Sequence, residues 1–166
     1  MISSTPVLDE LDLRLLALLQ SDASRSNQAL AEAAGVSPAT ALRRVRRLVD
    51  AGVIERQVAL LNPAAVGAGL AALVEVSLDR QGAEHLDAFE VRAVAEGAVQ
   101  QVWRVSPGPD FVLVVQVADM PAYQALAQRL FTQDANVRNV KAFFSLKRAK
   151  FVTAVPLPVQ PFSDPA

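Results

Sequence analysis

Residues 26–52, SNQALAEAAGVSPATALRRVRRLVDAG, decide the fold of the first part of this chain. They predict a short alanine-rich helix, a tight turn at Gly35, and a second helix that begins after Ser37. Glycine takes positive φ cheaply, serine is a favourable N-cap, and proline suits the first helical position because its missing N–H is not needed there. Two helices joined by such a turn, the second of them basic, are typical of a helix-turn-helix that binds DNA.

The second helix of this motif separates apolar from basic side chains when they are projected at about 100° per residue. The apolar arc holds Ala41, Leu42, Val45, Leu48 and Val49. The opposite arc holds Thr40, Arg43, Arg44 and Arg47, with Arg46 on its flank. Arginine binds phosphate through two N–H groups and pairs with guanine in the major groove. The residues expected to contact double-stranded DNA are Ser37, Ala39, Thr40, Arg43, Arg44, Arg46 and Arg47. A solvated basic helix face is the alternative interpretation.

The composition limits the possible classes of protein. The chain has 166 residues, of which 52% are hydrophobic, and it contains no cysteine and a single histidine, His85. These counts exclude a disulfide scaffold and a thiolate metal site, and neither a cofactor nor a metal ion is predicted. The net charge is −1, but residues 37–56 carry five arginines against Asp50 and Glu55. A basic stripe on a near-neutral protein favours site-selective DNA binding over general coating of DNA.

The N-terminal residues predict no targeting or membrane segment. Residues 1–6 have neither a basic start nor an apolar core, and no window approaches the roughly 20 apolar residues of a membrane span. We therefore expect a cytoplasmic, nucleoid-associated protein with no membrane partner.

The period of the apolar residues changes between the two halves of the chain. The first half reads as three helices, with Gly52 ending the third and an extended wing or linker following. In the second half, strands are expected at 70–78, 99–105, 111–117 and 137–152, and helices at 83–96 and 120–131. The order βαββαβ predicts a ferredoxin-like antiparallel sheet with two helices on one face, and hence an α+β protein with a winged helix-turn-helix domain.

The expected organisation has four parts: a DNA-binding domain (1–52), a wing or linker (53–66), a ferredoxin-like domain for effector binding and oligomerisation (67–152), and a proline-rich tail (153–166) that is expected to be loose from Pro156 onward. The very apolar strand around residues 112–115 suggests that the sheet face away from the helices is also covered. A second subunit is the simplest cover.

Seven short segments, taken in order and spacing, resemble the Lrp/AsnC (feast/famine) family of transcription regulators. They are LDELD (8–12), GVSP (35–38), RVRRL (44–48), GVI (52–54), LNP (61–63), DFVL (110–113) and DMPAY (119–123). The resemblance covers residues 8–152. It implies dimers formed through the βαββαβ domains, further assembly into tetramers or octamers that wrap or bend DNA, and an amino acid or similar effector that changes assembly or the spacing of the DNA-binding domains.

The resemblance also places the effector near the loop Ser106–Asp110. Asp110 and nearby backbone N–H groups would hold the ammonium and carboxylate of the ligand. The residues expected at this site are Trp103, Val105, Ser106, Pro107, Gly108, Asp110 and Ala142. Two alternatives stay open: Trp103 as a core residue of the sheet, and Asp110 as a turn cap that bonds local backbone.

The chain departs from the family pattern at this site. Pro107 stands where the family loop usually has glycine, Pro109 follows Gly108, and Val140 and Ala142 replace hydroxyl residues. Proline donates no backbone hydrogen bond, so the pocket should be less polar. These changes favour an apolar or aromatic effector, an altered ligand, or none. In the loop between the first two helices, Ser24 replaces a usual arginine, with Arg25 beside it.

Three functions are compatible with these observations. The first is a sequence-specific transcription regulator tuned by an amino acid or related metabolite. The second is an effector-independent regulator or nucleoid-organising protein. The third is an enzyme, because some proteins of this fold decarboxylate sirohaem; that chemistry needs acid–base groups, and this chain offers only His85. The basic helix favours DNA binding, and no enzymatic activity is expected.

Overall fold

The structure is a computed structural model that describes residues 7–158. Within that range the chain forms two compact units. Residues 7–59 together with 150–158 make up the unit that we call the head, and residues 60–149 make up the sheet domain. No helix in the range 7–158 has the length and apolarity needed to span a bilayer.

Three helices build the head: α1 (Glu10–Ser21), α2 (Asn27–Ala34) and α3 (Pro38–Asp50). Each begins at a polar cap, respectively Asp9, Ser26 and Ser37. The side chains of these caps accept backbone N–H groups that have no partner within the helix. At α1 the cap is reciprocal, because Asp9 also donates its backbone N–H to the Asp12 carboxylate, at 3.1 Å.

Glycines end α2 and α3 as the sequence predicts. Gly35 and Gly52 both have φ of 70°, in the left-handed region. The residue after each glycine donates its N–H back into the preceding helix: Val36 to the carbonyl of Ala31 and Val53 to that of Leu48, both at 2.9 Å. These are Schellman closures, in which the left-handed residue turns the chain sharply and satisfies helix-end carbonyls.

Small residues let the head helices approach closely. The buried core consists of Leu15, Leu30, Ala31, Ala34 and Ala41. Leu11, Leu18, Leu19, Val36 and Val45 pack around it. Beyond α3, residues 55–62 form neither a helix nor a paired strand, so the expected wing has no hairpin in the structure.

The sheet domain has the predicted βαββαβ order. Its elements are β1 (Leu70–Leu78), α4 (Ala83–Ala95), β2 (Val99–Arg104), β3 (Phe111–Val117), α5 (Met120–Ala127) and β4 (Val137–Phe144). A π-helical turn over Gln128–Thr132 extends α5. The four strands are antiparallel in the order β2-β3-β1-β4, which confirms the ferredoxin-like arrangement.

One face of this sheet forms the main core with both helices. Alternate residues of β1 and β3, such as Val74 and Leu113, are fully buried against Phe89 of α4 and Leu126 of α5. The Phe89 and Phe111 rings lie 4.8 Å apart. The opposite face carries Leu73, Trp103, Val112, Val114 and Phe143, and we call it the open face. The polar residues Glu75, Gln116 and Lys141 lie on the same face, so it is only partly apolar.

The last strand is shorter than predicted. β4 ends at Phe144, whereas the sequence suggested a strand region as far as residue 152. Ser145 still donates its N–H to the Ala71 carbonyl at 2.9 Å, after which the chain runs past the end of β1. A β-strand needs a neighbouring strand for its backbone hydrogen bonds. The neighbour of β4 is β1, which begins at Leu70, so β4 has no partner beyond this point.

Residues 153–158 are the described part of the expected proline-rich tail, and Val155 among them contacts α1. The Gln20 side chain of α1 donates to the Val155 carbonyl at 3.1 Å and accepts the Val155 N–H at 2.7 Å. These two hydrogen bonds resemble those of a β-bridge and hold Val155 against α1. The rest of the expected tail, residues 159–166, lies outside the described residues.

Candidate nucleic-acid interface

The exposed surface of α3 is rotated relative to the helical projection. Ala41 and Leu48 are buried as predicted, but Leu42 and Val49 of the predicted apolar arc are 40% and 49% exposed. The exposed surface instead contains Ala39, Leu42, Arg43, Arg46 and Asp50, which line a shallow concavity of about 480 Å³ together with Arg47. We call this surface the α3 face. Leu42 and Val49 therefore lie on the predicted apolar arc without being buried.

The rotation follows from three ion pairs that the projection could not include. Arg44 forms ion pairs with Asp9 and Asp12 of α1, and Arg47 forms an ion pair with Asp12. The Asp12 side chain is fully buried, and the Arg44 side chain is only 24% exposed. A buried carboxylate requires cationic or hydrogen-bonding partners. Two of the four predicted DNA-contacting arginines thus hold α3 against α1.

The electrostatics at Asp9 agree with this arrangement. The backbone N–H of Asp12 and the Arg44 guanidinium hold the pKa of the Asp9 carboxyl below its ordinary value. Asp9 in turn raises the pKa of Arg44. Both groups are charged at neutral pH, so this contact is an ion pair.

Arg43 and Arg46 are arranged differently from Arg44 and Arg47. Both are exposed, and neither forms an ion pair with any residue that the structure describes. Their guanidinium groups are available to an external anion or base edge. The α3 face therefore has two arginines that form no ion pair with a described residue.

The start of α3 is held in place by short polar contacts. Ser37 donates its hydroxyl to Thr40 Oγ1 at 2.9 Å and accepts the Thr40 N–H at 3.3 Å. Asn27 of α2 donates to the Pro38 carbonyl at 2.9 Å. Ala39 is exposed between them. In a helix-turn-helix, this end of the second helix is the part that approaches base edges.

The loop after β2 is anchored by Asp110. Its backbone donates to the Val76 carbonyl at 2.9 Å, and its carboxylate Oδ2 accepts the Leu78 N–H at 2.7 Å. Val105 donates to the Asp110 carbonyl at 3.0 Å, which closes the loop. The Ser106–Pro107 peptide is cis, and Gly108 has φ of 123°. Residues Val105 to Asp110 of the predicted effector site are thus brought together.

Trp103 and Ala142, also expected at that site, lie elsewhere within one chain. Trp103 is 57% exposed on the open face, and its indole N–H donates to Gln101 Oε1 at 3.0 Å. The alternative of a core tryptophan is therefore wrong. Ala142 lies on β4, at the sheet edge opposite β2, and packs against the helix-side core with Val140.

Two further residues from the sequence analysis have local partners. Arg25 Nε lies 3.8 Å from Asp22, whose carboxylate also accepts two hydrogen bonds from Ser24. His85 of α4 lies 3.4 Å from Glu84, on a helix surface.

Two protein-family models match this chain. A family model described as the Lrp/AsnC ligand binding domain matches residues 71–155, and one described as winged helix-turn-helix DNA-binding matches residues 8–55. This chain belongs to the Lrp/AsnC family.

Individual Lrp/AsnC proteins are similar over nearly the whole chain. The DNA-binding transcriptional activator DecR of Escherichia coli is 34% identical over 91% of this chain and 99% of its own length. The leucine-responsive regulatory protein of Rhizobium meliloti is 36% identical over 86% of this chain and 92% of its own. By name, the first relative is a transcriptional activator and the second is a regulatory protein.

Solved Lrp/AsnC structures share the fold. An AsnC family regulator from Agrobacterium tumefaciens has a TM-score of 0.85 at 30% identity, covering 90% of this chain and 97% of that one. A regulator from Neisseria meningitidis in complex with L-methionine has a TM-score of 0.85 at 29% identity, with the same coverage.

The sequence analysis did not identify Asp12 as the acidic partner of α3. Asp12 lies four residues after Leu8 and three before Leu15, and therefore at an apolar position of α1. A charged residue at such a position indicates a buried ion pair, and the nearby arginines of α3 are the available partners.

Proposed function

We propose that this Lrp/AsnC protein is a sequence-specific regulator of transcription that reads the DNA major groove with the α3 face. The observation that carries this proposal is the division of the four α3 arginines. Arg44 and Arg47 pair with carboxylates of α1, whereas Arg43 and Arg46 project without a partner among the described residues. Such a regulator acts on chromosomal DNA in the cytoplasm.

The contacts divide by position along α3. Ala39 and Thr40, at the start of the helix, approach base edges, with Ser37 and its capped N-terminus near a phosphate. Arg43 and Arg46 are three residues apart and therefore lie on the same side of α3. They contact guanine or phosphate. Arg44 and Arg47 act as positioning residues, because they set the rotation of α3 on α1.

A second copy of this chain is the proposed partner of the open face. Leu73, Trp103 and Phe143 are each at least half exposed there. Three large apolar side chains on adjacent or nearby strands form a surface that a monomer rarely leaves in water. A twofold dimer covers it and presents two heads to two half-sites. Further assembly into tetramers or octamers belongs to this proposal as well.

The proposed effector is an amino acid or a related metabolite bound at residues 105–110. The Asp110 atom Oδ1 has no hydrogen-bond partner among the described residues, so it can accept an ammonium group. The relatives whose names mention leucine and L-methionine support this class of ligand.

Effector-independent regulation is the second candidate, and one observation favours it. The other oxygen of Asp110 already accepts the Leu78 N–H, and Pro107 and Pro109 bring no donors for a carboxylate. The loop is then a structural closure between β2 and β3.

Selection from a pool of random duplexes tests the proposed DNA recognition. The purified protein should enrich a common motif with two related half-sites, because a twofold dimer carries two α3 faces. Recovery of unrelated sequences at the frequency of the starting pool contradicts sequence-specific binding.

A further inference from the structure

The lysines of this chain are concentrated in one place. All three, Lys141, Lys147 and Lys150, lie within ten residues. They fall in the longest stretch without an acidic residue, 135–163, which also carries Arg138 and Arg148. The rest of the chain has eleven cations against seventeen acids and is net negative. None of the cations in this stretch belongs to the α3 face.

Several cations of this stretch are exposed, and two of its lysines form no ion pair among the described residues. Lys147, Arg148 and Lys150, which we call the basic segment, are all exposed. Neither lysine forms an ion pair with any residue in the range 7–158. In contrast, Arg92, Arg104 and Arg129 of the sheet domain each pair with carboxylates.

The sheet-domain part of the segment borders a concavity of about 230 Å³. Lys147 and Arg148 line it together with Asn62, Gln116 and Ser145. None of the described residues that line it is acidic. Ammonium, guanidinium, amide and hydroxyl groups are the groups through which proteins contact phosphate oxygens.

Most of the residues that line this concavity come from two separate segments of the sequence. Asn62 follows the residue at which the chain enters the sheet domain, and the basic segment spans the residue at which it returns to the head. In sequence, most of the residues that line the concavity are therefore close to one of the two points at which the chain passes from one unit to the other.

We propose that the basic segment is a second DNA contact, which binds backbone phosphates without reading sequence while the α3 face reads bases. This inference rests on the proposed function, since it requires that the protein binds DNA. The occupant is double-stranded DNA because the segment is an exposed run of cations beside neutral hydrogen-bond donors. Such a run recognises a polyanion through charge and carries no base-reading geometry.

The expected effect is on the salt dependence of binding. Each phosphate contact adds about 0.9 to the slope of log K against log salt, so it costs about 3.5-fold in affinity between roughly 50 and 200 mM salt. The Lys147→Gln/Lys150→Gln variant should show a slope shallower by about 0.9 for each lysine that contacts a phosphate. Its affinity should fall by the same factor on a selected site and on a scrambled duplex.

A matched control separates local contact from net charge. Arg80→Gln/Arg138→Gln removes two exposed cations at the opposite end of the sheet, next to Leu78, where β4 begins. It should leave the slope close to that of the unchanged protein. Lys147→Arg/Lys150→Arg should restore the slope, and thermal melting of each variant checks that it is folded.

Fluorescence anisotropy with labelled duplexes between 50 and 200 mM salt gives all these values. If the glutamine variant keeps the slope of the unchanged protein, or changes no more than the control, the inference is overturned while the proposed function stands. A loss confined to the selected site also overturns it, because base reading is then involved. If the unchanged protein binds no duplex, the proposed function and this inference fail together.

Discussion

Asp12 of α1, a side chain with no exposed surface, forms an ion pair with Arg47 of α3. Arg44 shares the same carboxylate at 3.2 Å. One buried charge on the first helix thus sets the rotation of the third, and determines which arginines remain available on the α3 face.

Removal of this carboxylate should destabilise the head. Asp12→Asn leaves Arg44 and Arg47 without their shared anion, and we expect a loss of about 2–3 kcal/mol in the free energy of unfolding. The estimate is at the lower end because both arginines keep access to water. Urea unfolding followed by helical circular dichroism measures it. Asp50→Asn, an exposed change on α3, is the control, and equal stability of the two variants would contradict the role given to Asp12.

The Asp9 carboxyl should make the head sensitive to acid. Its pKa is lowered below 3.8 in the folded protein, first by the Asp12 backbone N–H and then by Arg44. A group with a depressed folded pKa contributes stability above its unfolded pKa, and that contribution is lost as pH falls through the folded pKa. The free energy of unfolding of the head should therefore decrease as the pH falls below about 4.

Asp9→Asn gives the comparison for this acid sensitivity. Asparagine is as good an N-cap as aspartate, so the variant keeps the cap and loses the titratable group. Its stability between about pH 5 and pH 3 should depend less on pH. An unchanged acid profile would show that other carboxyls account for the transition.

A charge on the open face should prevent pairing of two chains. Leu73→Asp places a carboxylate at a half-exposed position opposite Phe143 in the β1–β4 register. If a second copy covers this face, light scattering should give a dimer or larger assembly for the unchanged protein and a monomer for the variant. Val91→Asp, at an exposed position on α4, should keep the assembly. A monomeric unchanged protein would contradict the proposed partner.

The two effector hypotheses differ in a thermal-shift screen against the twenty amino acids and their keto-acid relatives. A ligand of the native state at about 100 times its Kd adds about 2.7 kcal/mol of stability. The amino-acid hypothesis predicts a hit that Asp110→Asn weakens. A hit that this variant leaves unchanged would place the ligand elsewhere, and no hit across the panel would favour effector-independent regulation.

Most of the fold could be predicted because its signals are local. Ser37, Gly35 and Gly52 mark helix ends through backbone geometry that neighbouring residues determine, and period alone distinguishes the βαββαβ half from the helical half. The rotation of α3 could not be read from α3, because it depends on Asp12, 32 and 35 residues away from its partners Arg44 and Arg47.

The sequence was less informative wherever a distant partner decides the outcome. Trp103 lies on the open face instead of the core, a distinction that depends on the register with β3. Val155 is hydrogen-bonded to Gln20, 135 residues earlier, a contact that proline content alone could not predict. The cover over the second sheet face, which the apolar strand β3 suggests, stays a prediction.

The most direct test of the account is the ratio of affinities for a selected site and a scrambled duplex, measured by anisotropy for Arg43→Ala/Arg46→Ala. Each arginine that contacts guanine contributes about 1–3 kcal/mol of discrimination, so this ratio should fall at least tenfold while the thermal melting of the head is unchanged. Arg80→Ala is the control and should keep the ratio. A double variant that binds its site as selectively as the unchanged protein would contradict recognition through the α3 face.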